Sequence, residues 1–254
     1  MQLILLGSGT SIPLSNRASP SMALIVDNRI ILFDIGPGTV RQLTKAGLDF
    51  EAIEQIFITH FHPDHTADLI HFLFASRTPS IVKRRRPFVI SGPRGIKELV
   101  HNLQAAYSDW LALPSGVMGI EEFDVKKTVR RNYDSFRLIT AHTNHTPHSL
   151  AYRLESLSGK CVVYSGDTGL CDEIVKLAEG SDLLVLECAF PDEMAVEGHL
   201  TPSQAGRIAS MANVKQLLLT HFYPECLETN IDEQCRKTFH GKLILGTDLL
   251  KIRI

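Results

Sequence analysis

Short apolar runs closed by turn residues recur along the whole chain. Their length and β-branched content predict strands over residues 3–6, 23–26, 30–33, 56–58 and 88–90, then 136–140, 150–154, 161–164, 183–186, 216–219 and 242–245. Amphipathic stretches between some of them predict helices over 39–46, 66–76, 96–107, 171–178 and 202–211. The last has clear start signals, with Thr201 as N-cap, Pro202 at the first helical position and Gln204 as partner in a capping box. Strands in succession followed by strands alternating with helices imply two mixed sheets packed together with helices outside, in one domain spanning 1–254. The least regular stretch is 108–132, where Pro114, Ser115, Gly116 and Gly119 predict a surface loop.

Composition supports this layered α/β reading. Of the 254 residues, 44% are hydrophobic and 21% charged, enough for a large core and against disorder. A formal net charge of -2 gives no global attraction to nucleic acid, so any RNA contact has to be local. The dense basic run Lys83 to Arg86 is either such a patch or a solvated loop before the strand at 88–90. The five cysteines form no Cys-x-x-Cys pair and read as reduced thiols. With no basic, apolar leader and no run near the roughly 18 residues of a membrane span, the expectation is a cytoplasmic protein without membrane attachment.

The chemistry concentrates in the segment Ile56 to His65, where an apolar strand ends in His60, His62, Asp64 and His65. Four ligand-type side chains in six positions are too many for one tetrahedral ion, and two ions could share them. His60 and His62 lie two apart and can point the same way, while Asp64 and His65 lie beyond Pro63 and can face a second ion. Further strands end in candidate groups: His142, His145 and His148 after 136–140, Asp167 after 161–164, Glu187 after 183–186 and His221 after 216–219.

The His-x-His-x-Asp-His pattern resembles the signature of metallo-β-lactamase fold hydrolases, and the resemblance covers almost the whole chain. It implies a four-layer αββα sandwich. It also implies two divalent metal ions, with His60, His62 and His145 on one, Asp64, His65 and His221 on the other, and Asp167 between them. His145 is preferred over its neighbours because it stands seven positions before Tyr152 of a Tyr-Arg pair, as in the ribonuclease Z-like branch. Nitrogen and oxygen donors of this kind suit zinc, with manganese or iron also compatible. Two ions about 3.5 to 4 Å apart would share and activate a water as hydroxide. Asp34, after the strand at 30–33, is implied to hold a ligand histidine by hydrogen bonding; the residue alone would also fit an ordinary turn.

Two more features resemble the ribonuclease Z-like phosphodiesterases. Glu187 and His199 correspond to a pair that handles protons there, so that with Asp64 they make up the implied catalytic residues. The opening loop 7–21 carries Arg17, which would either fork onto a substrate phosphate or lie solvated. Phe61, Phe222 and Tyr223 flank the ligands and are candidate pocket walls. One departure matters: the tRNA-gripping arm of true ribonuclease Z lies between the third motif and the bridging aspartate, and only fourteen residues separate Tyr152 from Asp167. The expected reaction is therefore hydrolysis of a small or cyclic nucleotide-type phosphodiester. The alternatives are tRNA 3′-end cleavage, thioester or lactam hydrolysis, and a metal-binding module without turnover. Dimers are common among the resembling enzymes, which makes a homodimer the candidate assembly.

Overall fold

The computed structural model describes residues 1–77 and 86–254, so the basic run from Lys83 lies outside the described residues except for Arg86. The first of two seven-stranded sheets runs edge to edge as β14 (Lys251–Arg253), β1 (Gln2–Gly7), β2 (Ser21–Val26), β3 (Arg29–Phe33), β4 (Ile53–Phe57), β5 (Phe88–Pro93) and β6 (Met118–Phe123). The second runs as β13 (Lys242–Leu245), β12 (Gln216–Thr220), β11 (Leu183–Glu187), β10 (Cys161–Tyr164), β9 (Leu150–Ser156), β8 (Phe136–His142) and β7 (Arg130–Asn132). Each sheet has an antiparallel part and a parallel part. β14, β1, β2 and β3 are antiparallel and β3 to β6 parallel; β7 to β10 are antiparallel and β10 to β13 parallel.

Parallel neighbours need crossovers, and these supply the outer layers. On the first sheet they are α1 (Thr39–Ala46), α2 (Pro63–Thr66) with α3 (Asp68–Arg77), and α4 (Ile96–Tyr107). On the second they are α5 (Asp172–Ala178), α6 (Pro202–Met211), and α7 (Pro224–Leu227) with α8 (Ile231–Arg236). The capping box at Thr201 and Gln204 forms as its sequence implies.

Because the central strands of each sheet are covered on both faces they are largely apolar, unlike the exposed edge strands β7 and β14, and the period-2 alternation divides their side chains between two cores. Leu3, Leu5, Ile31 and Phe33 join the core between the sheets. Ile4, Leu6, Ile30 and Leu32 join the core under α1, α3 and α4. A third core packs α5, α6 and α8 onto the second sheet and contains Cys188, Cys226 and Cys235; all five cysteines are free thiols. Between the sheets Phe57 lies 5.3 Å from both Phe33 and Tyr152, so Phe57→Ala should cost about 3–5 kcal/mol. No helix among the described residues is long and apolar enough to cross a membrane.

The stretch 108–132 departs from its predicted loop. It contains β6, which pairs in parallel with β5 from Phe88↔Met118 to Pro93↔Phe123, and β7 at the far edge of the other sheet. Gly119 and adjacent Glu121 and Glu122 mask the strand pattern. The two carboxylates have defined partners: Glu121 accepts from Tyr133 and Arg131, and Glu122 accepts from the Gly95 and Lys97 amides at the start of α4.

Candidate metal centre

The candidate site residues, seven ligands and Glu187, come from six segments that meet at one end of the two sheets, where the parallel strands finish, the usual place for a site in such topologies. β4 leads into His60 and His62, α2 carries Asp64 and His65, and β8 leads into His145. β10 leads into Asp167, β11 ends on Glu187 and β12 leads into His221.

The Asp167 carboxylate divides them. Its Oδ2 faces His60 Nε2 at 3.7 Å and His145 Nε2 at 3.6 Å; its Oδ1 faces His65 Nε2 at 3.2 Å and His221 Nε2 at 3.4 Å. His62 Nδ1 lies 3.2 Å from His145 Nε2 on the first side. Asp64 Oδ2 lies 3.8 Å from His65 Nε2 and 3.6 Å from His221 Nε2 on the second. His60, His62, His145 and Asp167 thus make one group able to hold a cation, and Asp64, His65 and His221 another.

Buried hydrogen bonds fix which nitrogen each imidazole presents. Asp34, wholly buried behind the site, accepts from the Thr59 amide at 2.8 Å, the Thr59 hydroxyl, the Tyr164 hydroxyl at 2.9 Å and His65 Nδ1 at 2.8 Å. The Thr59 hydroxyl spends its proton on Asp34 and can accept from His60 Nδ1 at 3.0 Å. His145 Nδ1 donates to the Gly198 carbonyl at 2.9 Å. Each arrangement turns Nε2 inward, as outer partners of metal-binding histidines do. Two of these residues, Asp34 (φ 56°) and His221 (φ 60°), adopt the left-handed backbone region, a strain of about 1–3 kcal/mol each that clusters at functional sites. Gly166 (φ 59°) brings Asp167 up against Thr59, where an added Cβ would stand 2.6 Å from the threonine Cβ.

Most of the inward atoms have no hydrogen-bond partner among the described residues. His60 Nε2, His65 Nε2, both ring nitrogens of His221 and Asp167 Oδ1 are buried without a hydrogen bond. A cluster of orphaned buried donors and acceptors is costly unless something else satisfies it. Divalent cations fit: three neutral-capable imidazoles and a carboxylate on one side, two imidazoles and two carboxylates on the other. The electrostatics agree for His60, His145 and Asp167. Burial, with neighbouring histidines, holds the proton affinity of His60 well below that of a free imidazole, and His145 is lowered for the same leading reason. Burial opposes ionisation of Asp167, but the surrounding imidazoles outweigh it and keep the carboxyl well below its usual range. His65 runs the other way: despite burial, the charges of Asp167 and Asp34 raise it.

Beside this cluster, Glu187 is almost wholly buried and accepts from the amides of Thr168, Ala189 and Leu200 at 3.0–3.2 Å. Its Oε1 also holds His199 Nδ1 at 2.8 Å. Burial raises the Glu187 carboxyl; for His199, burial opposes the cationic form, yet the Glu187 hydrogen bond and charge carry the net shift upward. Asp167, His199 and His221 can themselves be drawn as a third ligand group.

The other sequence candidates separate cleanly. His142 and His148 are exposed and outside the cluster, His148 stacking on Phe61 at 6.2 Å. Arg17 is half-buried: its Nη1 donates to Ser8 Oγ at 2.6 Å and the Gly246 carbonyl at 2.8 Å, and its guanidinium lies 5.2 Å over the Phe222 ring. Phe222 is buried, while Tyr223 and Phe61 stand half-buried at the rim. Thr59, Tyr164, Gly198 and Phe190 also shape the site, and nothing in their local sequence marks them.

Comparison with known proteins bears on this geometry. The chain aligns along its full length with "Ribonuclease Z" of Methanothermobacter thermautotrophicus, 27% identical over 305 residues and covering 97% of that protein. "Ribonuclease Z" of Streptomyces avermitilis is 28% identical, with 100% of this chain and 97% of that one covered. Among solved structures, the metallo-beta-lactamase fold protein YhfI from Bacillus subtilis superposes with a TM-score of 0.85 at 22% identity, over 99% of both chains. Human tRNase Z, short form, gives 0.83 at 24%, over 100% of this chain and 99% of that one. These likenesses establish the metallo-β-lactamase fold. The sequence model of the beta-lactamase superfamily domain matches residues 29–222, a span that runs from β3 through His221, and the chain belongs to that superfamily.

Proposed function

We propose that this protein is a metal-dependent phosphodiesterase, with His60, His62, His145 and Asp167 holding one divalent cation and Asp64, His65, His221 and the same Asp167 holding a second. Zinc is the metal best suited to this all-nitrogen-and-oxygen donor set. When bound, such a pair supplies a water activated near neutral pH and neutralises charge on the phosphate. The chain's own residues do the rest. Asp34, Thr59 and the Gly198 carbonyl keep three imidazoles oriented. Glu187 holds His199 by Nδ1 and favours its cationic form, which leaves Nε2 to deliver a proton to the departing alkoxide. A phosphodiester needs that proton because an unprotonated alkoxide leaves poorly.

The observation that carries this reading is the 2.8 Å Glu187–His199 contact beside the orphaned cluster. His199 is assigned to proton delivery rather than to a cation because the two groups already reach their ligand complement without it. The same pair speaks against thioester or lactam hydrolysis, and the intact ligand set speaks against a module without turnover.

The substrate we assign is a small or cyclic nucleotide-type phosphodiester. β9 and β10 are joined only by a tight hairpin, with Ser156 N donating to the Lys160 carbonyl at 2.9 Å and Gly159 at φ 81°. The alignment with the archaeal relative runs over 305 positions against 254 residues here, so about fifty of its positions have no counterpart in this chain. The second reading, tRNA 3′-end cleavage, is favoured by the names and coverage of those relatives. Turnover of bis(p-nitrophenyl) phosphate by metal-analysed protein tests the activity, and parallel assays on a pre-tRNA and a cyclic-nucleotide panel separate the substrates. Absence of turnover with zinc or manganese loaded would sink the proposal.

A further inference from the structure

Next to His199 the rim carries two aromatic rings that the hydrolytic reading leaves without a task. Phe190, three residues beyond Glu187, and Tyr223, two beyond His221, stack with centroids 4.6 Å apart and planes 17° from parallel. Both are half-buried. His199 and His221 are themselves nearly parallel, 6.0 Å apart, and the aromatic pair stands across them: Phe190 lies 5.8 Å from His199 at 74°, and Tyr223 lies 5.9 Å from His221 at 67°. Backbone bonds set the two rings, with Phe190 N donating to Leu200 O and Tyr223 N to Ala189 O. The Tyr223 hydroxyl shares a hydrogen bond of 3.2 Å with Ser11 Oγ in the opening loop.

We infer that Phe190 and Tyr223 form a specificity wall for the base of a nucleoside carried on the oxygen that His199 protonates. The inference rests on the phosphodiesterase reading and adds to it where the base lies. Flat aromatic surface prefers flat aromatic partners in offset or edge-on contact, and base stacking on such rings tolerates any base. A phosphodiester that presents a flat π-system one sugar away from the reacting phosphorus is a nucleotide. The pair is held at both backbones and at the Tyr223 hydroxyl, so little ordering remains to be done when a base arrives.

Calorimetric titration of the metal-loaded protein with adenosine 5′-monophosphate and with ribose 5-phosphate tests the wall independently of turnover. The nucleotide should bind more tightly, and the ratio of the two dissociation constants should fall by about 5- to 150-fold in Phe190→Ala and in Tyr223→Leu. Tyr223→Phe, which keeps the ring and loses only the Ser11 contact, should retain most of the ratio. Metal content by elemental analysis identifies any variant that has lost its fold, and Phe190→Leu, which keeps apolar volume without a ring and should lower the ratio likewise, then carries the comparison. An unchanged ratio in the ring-removing variants, no nucleotide preference in wild type, or tighter binding of butyl phosphate than of the nucleotide would overturn the wall. Nucleotide preference without hydrolysis of bis(p-nitrophenyl) phosphate would leave the wall standing and remove the hydrolytic reading instead.

Discussion

His65 Nδ1 and Asp34 Oδ2 lie 2.8 Å apart with both side chains wholly inaccessible to solvent. Asp34 answers three further donors, so it both aims one imidazole and holds the floor of the site together. Asp34→Asn, which tolerates the left-handed backbone there, should weaken metal binding by about 10- to 100-fold as outer-partner changes do. Competition titration against a chromogenic chelator measures it, and an unaltered affinity would remove Asp34 from any role in the centre. Asp34→Ala should in addition cost about 3–5 kcal/mol by stranding buried partners, read from denaturant unfolding of the metal-free protein.

Asp167→Ala should reduce bound metal on both sides at once, since Oδ1 and Oδ2 each face a different pair of imidazoles. Elemental analysis after dialysis gives the answer. Full occupancy of two sites in the variant would show that Asp167 does not bridge.

His199→Ala should leave metal content intact and lower kcat by about 10² to 10⁴, the usual contribution of acid–base help. Glu187→Gln should give a similar deficit, and the double variant should lose little more because the two act as one unit. Should His199→Ala strip metal as Asp167→Ala does, the third ligand grouping of Asp167, His199 and His221 would be the correct one.

Asp192 provides a pH-dependent stability. Burial opposes its ionisation, but the Ser203 amide at the start of α6 and Lys237 Nζ at 3.0 Å outweigh this and lower its folded pKa below the ordinary 3.8. A depressed folded pKa means that the contribution is complete above the unfolded value and drains away as pH falls below about 3.8 toward the folded one. Asp192→Asn should therefore lower Tm near neutrality and flatten its decline in acid. Parallel Tm–pH curves for variant and wild type would contradict the assignment.

The sequence carried the fold's layers and the ligand set for one reason: both leave local signatures. Fully covered strands are continuous apolar runs, and the short turns after them confine His60, His62, Asp64 and His65 to six positions. What it did not carry is non-local or diluted. β6 hides its strand character behind Gly119, Glu121 and Glu122; β7 and β14 have three residues each, and α7 and α8 only four and six, too few for periodicity to register. Arg17 could not be placed because its partner carbonyl is Gly246, 229 residues away. Phe190 gives no local sign of stacking on Tyr223, since the pairing depends on β11 and β12 lying side by side.

Asp248 takes hydrogen bonds from the Ser8 amide and hydroxyl, the Ala18 amide and the Gln42 side chain, and so moors both ends of the opening loop to the first helix. No candidate ligand is among its partners, so replacing this one carboxylate would untie the loop from the first helix at two points while His65, His60 and His145 each kept their own outer hydrogen bond.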